Sequence, residues 1–366
     1  MPTSGKQATV KAILLILLLF SLISSPPCLA SDTRLFTDMA GRKVKIPNQV
    51  DRIVCLGPGA LRLIVYLKAQ NKVVGIEELE KRFPAGRPYY LAYPELGNNK
   101  VITPGGVAAI NNKPNLEGVI SVKPQLIFIT HIQPQMANEL QALLQIPVVL
   151  LDYGRFANFD KTVFKSLLLA GRILNREKRA RLVIDFIQEN IEDLKLRNQG
   201  APKPKVYVGG LGFKGAHGLM STDSDYTPFT WNQANNVALP RGEKTHLFMD
   251  FEELIKKDPD FIFVDAGGLV LLAGDYAKKP DFYNLLKAFK NKQVYVLHPF
   301  NWYTTNICTA LVDAYQVGKI INPSGFRDVN PVQKANEIYS FMVGKPVHAQ
   351  MAAEYGPLGA GPGFLK

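Results

Sequence analysis

Between Phe159 and Arg197 the chain carries no proline and one glycine, Gly171, while apolar residues recur at helical spacing: Val163, Leu167, Ile173, then Leu182, Ile184, Phe186, Ile187, Ile191 and Leu194. The spacing predicts one long helix or two collinear ones. On either side of it, strand-length and helix-length patterns alternate. Upstream, strands are expected at Arg52 to Leu56, Val73 to Ile76, Leu126 to Thr130 and Val148 to Leu151, with helices at Ala60 to Leu67, Leu116 to Val122 and Met136 to Leu144. Downstream of Gly200-Ala201-Pro202-Lys203-Pro204 they are expected at Lys205 to Val208, Phe261 to Asp265 and Val294 to Leu297, followed by helices near Thr305 to Ile320 and Pro331 to Val343. Repeated strand-helix-strand order builds a mainly parallel sheet with helices on its faces. The predicted fold is therefore α/β: two α/β lobes with mainly parallel sheets, joined by a single long helix. Domain boundaries fall at 31–154 for the first lobe, 155–200 for the connecting helix and 201–347 for the second lobe. Residues 348–366, rich in Gly, Ala and Pro and without periodicity, are expected to be a disordered tail.

The amino-terminal segment bears on compartment. Lys6 and Lys11 precede an apolar run from Ala12 to Phe20, and small residues come after it, which is the pattern of a signal peptide over residues 1–30. The run is short for a permanent membrane anchor, and Pro26-Pro27 ends any helix there. Cleavage after Ala30 is expected. Lipidation of Cys28 is the competing reading, disfavoured because Pro27 occupies a position that wants a small residue. Without a lipid anchor an exported protein stays with the cell only if an outer membrane retains it, so the periplasm is the expected location. Of the three cysteines, Cys55 and Cys308 remain, and their contexts, an apolar strand and a helix, suggest buried free thiols over a disulfide.

The formal net charge is +12. Such a balance suits an anionic solute or an acidic surface; the basic residues are dispersed, and export excludes nucleic acid as a partner. Gly210-Leu211-Gly212-Phe213-Lys214-Gly215 matches the dinucleotide fingerprint G-x-G-x-x-G and comes directly after a strand. That fingerprint needs a helix to start within it, because the helix amino terminus holds the pyrophosphate. Here the motif runs instead into a polar, turn-rich loop, so an exported dinucleotide-dependent enzyme using Gly210 to Gly215 is the weaker class of reading. No G-x-S-x-G elbow, Walker loop or H-E-x-x-H occurs, so neither a catalytic residue nor a cofactor is expected.

The stretch Thr37-Asp38-Met39-Ala40-Gly41-Arg42-Lys43-Val44-Lys45-Ile46-Pro47, with Val50 to Ala60 after it, resembles the start of periplasmic binding proteins that serve iron-siderophore, haem and cobalamin importers, in the branch labelled iron-complex receptors. Ser121-Val122-Lys123-Pro124-Gln125-Leu126-Ile127 and Lys257-Asp258-Pro259-Asp260-Phe261-Ile262 look like that family's paired helix, proline, strand segments, one per lobe. The resemblance implies an extracytoplasmic solute-binding receptor of an ABC importer, with a ligand cleft between the lobes, capturing an iron or other metal chelate such as a ferric siderophore and delivering it to the permease in the cytoplasmic membrane. A cobalamin or haem-type tetrapyrrole, or a nickel chelate, is the alternative cargo. A monomer is expected. The family carries an acidic residue for the permease in the helix after the first proline turn; Arg62 stands there, so docking charge is expected to be reversed or relocated.

Loops at the strand ends offer candidate solute contacts. The first lobe supplies Gly57, Pro58, Gly59, Arg87, Tyr89, His131 and Tyr153; the second supplies Lys214, His217, Tyr226, Asp265, Asn301, Trp302 and Tyr303. Cations suit an anionic chelate and aromatics a flat ligand face. No histidines stand at i,i+3 or i,i+4, so a metal site made wholly by protein is not expected; His131 and His217, one per lobe, are the candidates to complete the shell of a chelated metal. The remaining three, His246, His298 and His348, look structural or exposed.

Overall fold

The computed structural model describes residues 33–103, 105, 115–155, 158–213, 215–238 and 245–365. The expected signal segment, with Cys28, lies outside them.

Two parallel sheets form the lobes. The first has five strands in the order β5-β4-β3-β6-β7, namely Lys100–Thr103, Val73–Glu77, Ile53–Leu56, Leu126–Ile129 and Val148–Leu150. The second has four in the order β10-β8-β12-β13: Asn235–Asn236, Lys205–Gly209, Phe261–Asp265 and Val294–Leu297. Strands β3 and β6 are buried along their whole length, as expected of apolar runs with helices over both faces. Two antiparallel pairs complete the strands, β1 (Thr33–Thr37) with β2 (Lys43–Pro47), and β9 (Ser221–Asp223) with β11 (His246–Phe248). The Ala60–Tyr66, Pro134–Leu144, Ile307–Ile321 and Pro331–Val343 helices fall within two residues of the patterns that predict them. Cys55 and Cys308 are both buried and free.

The long glycine-poor stretch holds two helices, Thr162–Ile173 and Glu177–Arg197, which are not collinear. A Cβ built on Gly171 would lie 2.9 Å from that of Ala180. Nine residues of straight helix would separate them by roughly 13 Å. The chain therefore turns sharply between them, through Asn175 in the left-handed region at φ 56°. The second helix spans the lobes: near its start Arg179 Nε donates to the Tyr66 carbonyl of the first lobe at 2.9 Å, and just past its end Asn198 donates to Asn232 of the second at 2.8 Å. Ala180, Val183, Ile187 and Leu194 form its buried stripe.

The carboxyl-terminal residues, expected to be structureless, are ordered. A helix spans His348–Tyr355, with His348 and Met351 buried. Beyond it, Gly359 N donates to the Val296 carbonyl at 2.8 Å and Val296 N to the Ala360 carbonyl at 2.9 Å. This segment covers the outer edge of β13, and a covered edge cannot recruit another strand. Phe364 and Leu365 then pack on the second lobe's core. A few apolar anchors and backbone pairing hold it, neither of which leaves a periodic signal.

Candidate ligand cleft

In parallel α/β sheets the loops at the carboxyl ends of the strands are free of helix packing and face outward. Here β3 delivers Gly57 and Gly59, both with φ above 80°, β4 delivers Glu77, β6 leads to His131 and β7 to Tyr153. Across from them β8 leads into the Gly210 loop, β12 ends at Asp265 and β13 leads into residues 298–306.

A buried polar cluster joins the two sets. Arg62 is 0% exposed and reaches across to the second lobe, donating to the carbonyls of Thr305, Trp302 and Tyr303 at 2.9, 3.0 and 3.1 Å. Its guanidinium lies over the rings of Tyr89 and Tyr153 at 5.1 and 6.0 Å. The Tyr153 hydroxyl donates to the Gly59 carbonyl at 2.8 Å, and a Cβ on Gly59 would strike that ring. Tyr303 donates to Glu77 at 2.7 Å, and Glu77 also accepts from Gly57 N at 3.1 Å; burial pushes the Glu77 carboxyl up to about 7 against those two bonds. Arg87, 1% exposed, pairs with Glu80 at 2.6 Å, while Tyr89 donates to the same carboxylate oxygen at 2.7 Å. Tyr303 and Thr304 both take φ near 60°, a strained choice for side-chain-bearing residues. The Arg62 bonds hold that loop in place.

Beside this cluster lies a cavity of about 50 Å³, lined on the second lobe by Leu211, Asp223, Tyr226, His246 and Asn301 and closed by Asn158 of the connecting segment. Asn158 donates to Thr245 at 2.8 Å, and Thr245 in turn to Asp223 at 3.1 Å, which fixes one wall; burial raises the Asp223 carboxyl. His246 sits 2.9 Å from the Ser221 hydroxyl, with the Phe213 ring stacked on it at 4.2 Å. Among the described residues, the Tyr226 hydroxyl and Asn301 Oδ1 are buried at this cavity with no hydrogen-bond partner. Buried polar atoms are nearly always partnered by protein or by water, so these two are available to a polar guest in the cavity.

The sequence candidates divide accordingly. Tyr226 and Asn301 line the cavity. Gly57, Gly59, Arg87, Tyr89, Tyr153 and Tyr303 belong to the inter-lobe cluster, and Pro58 supports it, its carbonyl accepting from Thr130 at 2.9 Å. Arg87 is not the exposed loop cation that its sequence context suggests; its charge is spent on Glu80 inside the protein. Trp302 is 41% exposed and lends Arg62 its carbonyl, with its ring edge-on to Phe83 at 6.5 Å. Asp265 accepts from Gly267 N at 2.8 Å, and burial pushes it up to about 7. Lys214 lies outside the described residues.

His131 stacks on Tyr153 at 6.5 Å, whereas His217 sits 2.7 Å from the Phe213 carbonyl and edge-on to Phe248. Among the described residues no group of three or more His, Cys, Asp or Glu side chains is placed to hold a metal ion. Arg62 cannot serve as a reversed docking charge, because a fully buried guanidinium bonded to the opposite lobe presents nothing to a partner. Sequence reasoning passed over Glu77, Glu80, Asn158, Asp223 and Thr245, and His246 turns from a structural assignment to a cavity wall. Glu77 carried a usable signal, standing at a strand end like the residues that were chosen. Gly210 to Gly215 leads into β9, not a helix, so no helix terminus is available there for a pyrophosphate.

A family model described as "Periplasmic binding protein" matches residues 53–299. The molybdate-binding protein MolA of Haemophilus influenzae is 33% identical over 133 residues, 36% of each chain, so the match spans about a third of that relative's length. Its structure with bound molybdate superposes with a TM-score of 0.66 at 21% identity, covering 86% of this chain and 98% of that one. The Fe(3+)-citrate-binding protein YfmC of Bacillus subtilis is 26% identical over 58% of this chain and 72% of its own length. A periplasmic solute binding protein from Veillonella parvula superposes with a TM-score of 0.69 at 21% identity, covering 88% of this chain and 97% of that one.

Proposed function

The chain belongs to the periplasmic binding protein family, and from that premise we propose that it is the extracytoplasmic solute-binding receptor of an ABC importer. It captures a compact metal species between its lobes and hands it to the permease, making and breaking no bond of the solute. The observation that carries this reading is the cavity at the carboxyl ends of the second lobe's strands, with two orphaned polar atoms on its wall. Its place is where parallel α/β sheets take ligands. The signal segment 1–30 would be removed after Ala30, and the receptor would work as a monomer in the periplasm.

The cavity size bears on the cargo. About 50 Å³ lies far below the roughly 300 to 1,000 Å³ that drug-sized ligands occupy. A corrinoid or a haem would have to part the lobes, breaking the three Arg62 bonds and the Tyr303–Glu77 bond. A small metal chelate would part the lobes less than a tetrapyrrole, and the likeness to the Fe(3+)-citrate-binding protein YfmC makes a ferric carboxylate chelate the first choice. A tetrahedral metal oxyanion is the second reading, favoured by the likeness to MolA. Calorimetric titration with ferric citrate, sodium molybdate, a ferric siderophore, cobalamin and haem decides between them. Binding of ferric citrate or molybdate alone is the expected result; binding of cobalamin or haem alone overturns the compact-solute reading, and binding of none of the panel counts against a metal-species receptor.

A further inference from the structure

Glu77 lies buried at the seam between the lobes, at the carboxyl end of β4. Its two oxygens serve different lobes: Oε1 accepts from Gly57 N of the first at 3.1 Å, and Oε2 accepts from the Tyr303 hydroxyl of the second at 2.7 Å. The charged and titratable groups packed around it are already committed. Arg87 lies over the Tyr303 ring at 5.1 Å and is paired with Glu80, which also accepts from Tyr89. Arg62 is spent on the three carbonyls of the 302–305 loop, and Cys55 on the neighbouring β3 is a buried thiol. On a further side, a Cβ built on Gly105 would stand 2.9 Å from that of Glu77, so backbone closes it off. Among the described residues no cation forms an ion pair with Glu77.

A carboxyl stripped of water and given no counter-ion holds its proton longer, and here burial outweighs the two hydrogen bonds. The acid form keeps both contacts, because a carboxylic acid accepts at one oxygen and donates from the other, and a tyrosine hydroxyl can accept that bond. Tyr303 sits on the loop whose Asn301 walls the cavity, and Trp302 between them lies edge-on to Phe83 of the first lobe at 6.5 Å. Seating this loop covers Glu77; lifting it returns the carboxyl to water.

We propose that Glu77 is a positioning residue for the cavity, acting through Tyr303: as the acid it lets the loop from Asn301 to Thr305 seat on the first lobe, and its ionisation favours release of the loop. The bearing on solute capture rests on the cavity being the solute site, whereas the seating itself is read without solute. The seated carboxyl titrates at about 7, and a hydrated glutamate at about 4.3. Seating is therefore strongest below about pH 4, weakens as pH rises to about 7 and is flat above, a fall of about a hundredfold or more in the seating constant.

Trp302 reports on the loop, since the chain's other tryptophan, Trp231, is buried. Acrylamide quenching of tryptophan fluorescence in the solute-free protein should be weak at about pH 5, rise towards that of a free indole by about pH 7 and level off above. Glu77→Gln keeps an acceptor for Gly57 N and cannot ionise, so its quenching should stay at the low-pH level throughout. Infrared spectra should show a protonated-carboxyl band in the parent that Glu77→Gln lacks and that fades over the same range. Asp265→Asn removes the other carboxyl held near the same pH and should leave the quenching step in place; it also keeps the test decisive should Glu77→Gln fail to fold. Quenching that does not change with pH in the parent, a step that persists in folded Glu77→Gln, or a step lost in Asp265→Asn overturns the proposal.

Discussion

Arg62 of the first lobe and Thr305 of the second are joined by a fully buried hydrogen bond of 2.9 Å, and the same guanidinium holds the carbonyls of Trp302 and Tyr303. One side chain thus fixes the loop whose start, Phe300 and Asn301, walls the cavity. The position of the lobes and the shape of the cavity are therefore a single mechanical problem.

Arg62→Met keeps much of the side-chain volume and strips those three bonds. Hydrogen bonds to a charged group are worth about 1.5 to 3 kcal/mol each, and water recovers part of the loss, so the variant should be less stable by about 3 kcal/mol. Urea unfolding measures it. A loss below about 0.5 kcal/mol would mean that the inter-lobe link carries no stability.

Arg87→Ala should be costly for a related reason. It leaves Glu80 buried without its cation, and breaking a buried pair from one side costs about 3 to 5 kcal/mol. Glu80 keeps the Tyr89 bond, and Arg87→Leu/Glu80→Gln, which removes both charges, should recover more than half of the loss. A single variant as stable as the parent would contradict the burial of the pair.

These two arginines also mark where sequence reading stops. The central parallel strands were legible because buried strands read as apolar runs, and Phe261–Asp265 and Val294–Leu297 fall where the pattern puts them, whereas the edge strands Lys100–Thr103 and Asn235–Asn236 carry no such run and were missed. Arg62 stands in an otherwise apolar helical run, where one basic residue reads as the solvent-facing position. Its partners are backbone carbonyls some 240 residues away, and carbonyls have no sequence signature. Asn158, Asp223 and Thr245 come from three separate stretches, so only the fold makes them neighbours. The kink near Asn175 was hidden for a different reason: asparagine tolerates the left-handed region without announcing it as glycine would.

Stability should fall with rising pH through the second lobe. Burial pushes Asp265 up to about 7, and burial with the neighbouring Asp265 also raises Asp313. Unfolded aspartates titrate near about 3.9. Both native carboxyls hold protons more tightly than the unfolded chain does, so their contribution is full below about pH 4, is lost as pH rises to about 7 and is flat above for Asp265. Asp265→Asn retains an acceptor for Gly267 N and removes the titration. Relative to the parent it should gain on the order of 2 to 4 kcal/mol at pH 8 and almost nothing at pH 4, read from urea midpoints. Burial holds His298 at about 4 and acts in the opposite sense, weakening the fold as pH falls; comparison of variant with parent cancels it. Parallel curves for the two proteins would show that Asp265 is not the titrating group.

Tyr226→Phe separates solute binding from folding, because the two should move in opposite directions. The Tyr226 ring is packed by Phe229 and Phe300 at 4.8 and 5.4 Å, so phenylalanine can keep every apolar contact. Its hydroxyl is buried at the cavity with no partner among the described residues, and an unmet buried polar group costs about 1 to 3 kcal/mol. Removing it should stabilise the solute-free protein by about 1 kcal/mol. With solute in the cavity the hydroxyl gains a bond that phenylalanine cannot make, so affinity should fall by about tenfold. The thermal midpoint without solute and the calorimetric affinity with it give the two halves independently. A destabilised variant would mean that the hydroxyl already has a partner in the free protein. A stabilised variant with unchanged affinity would place the solute against some other wall of the cleft.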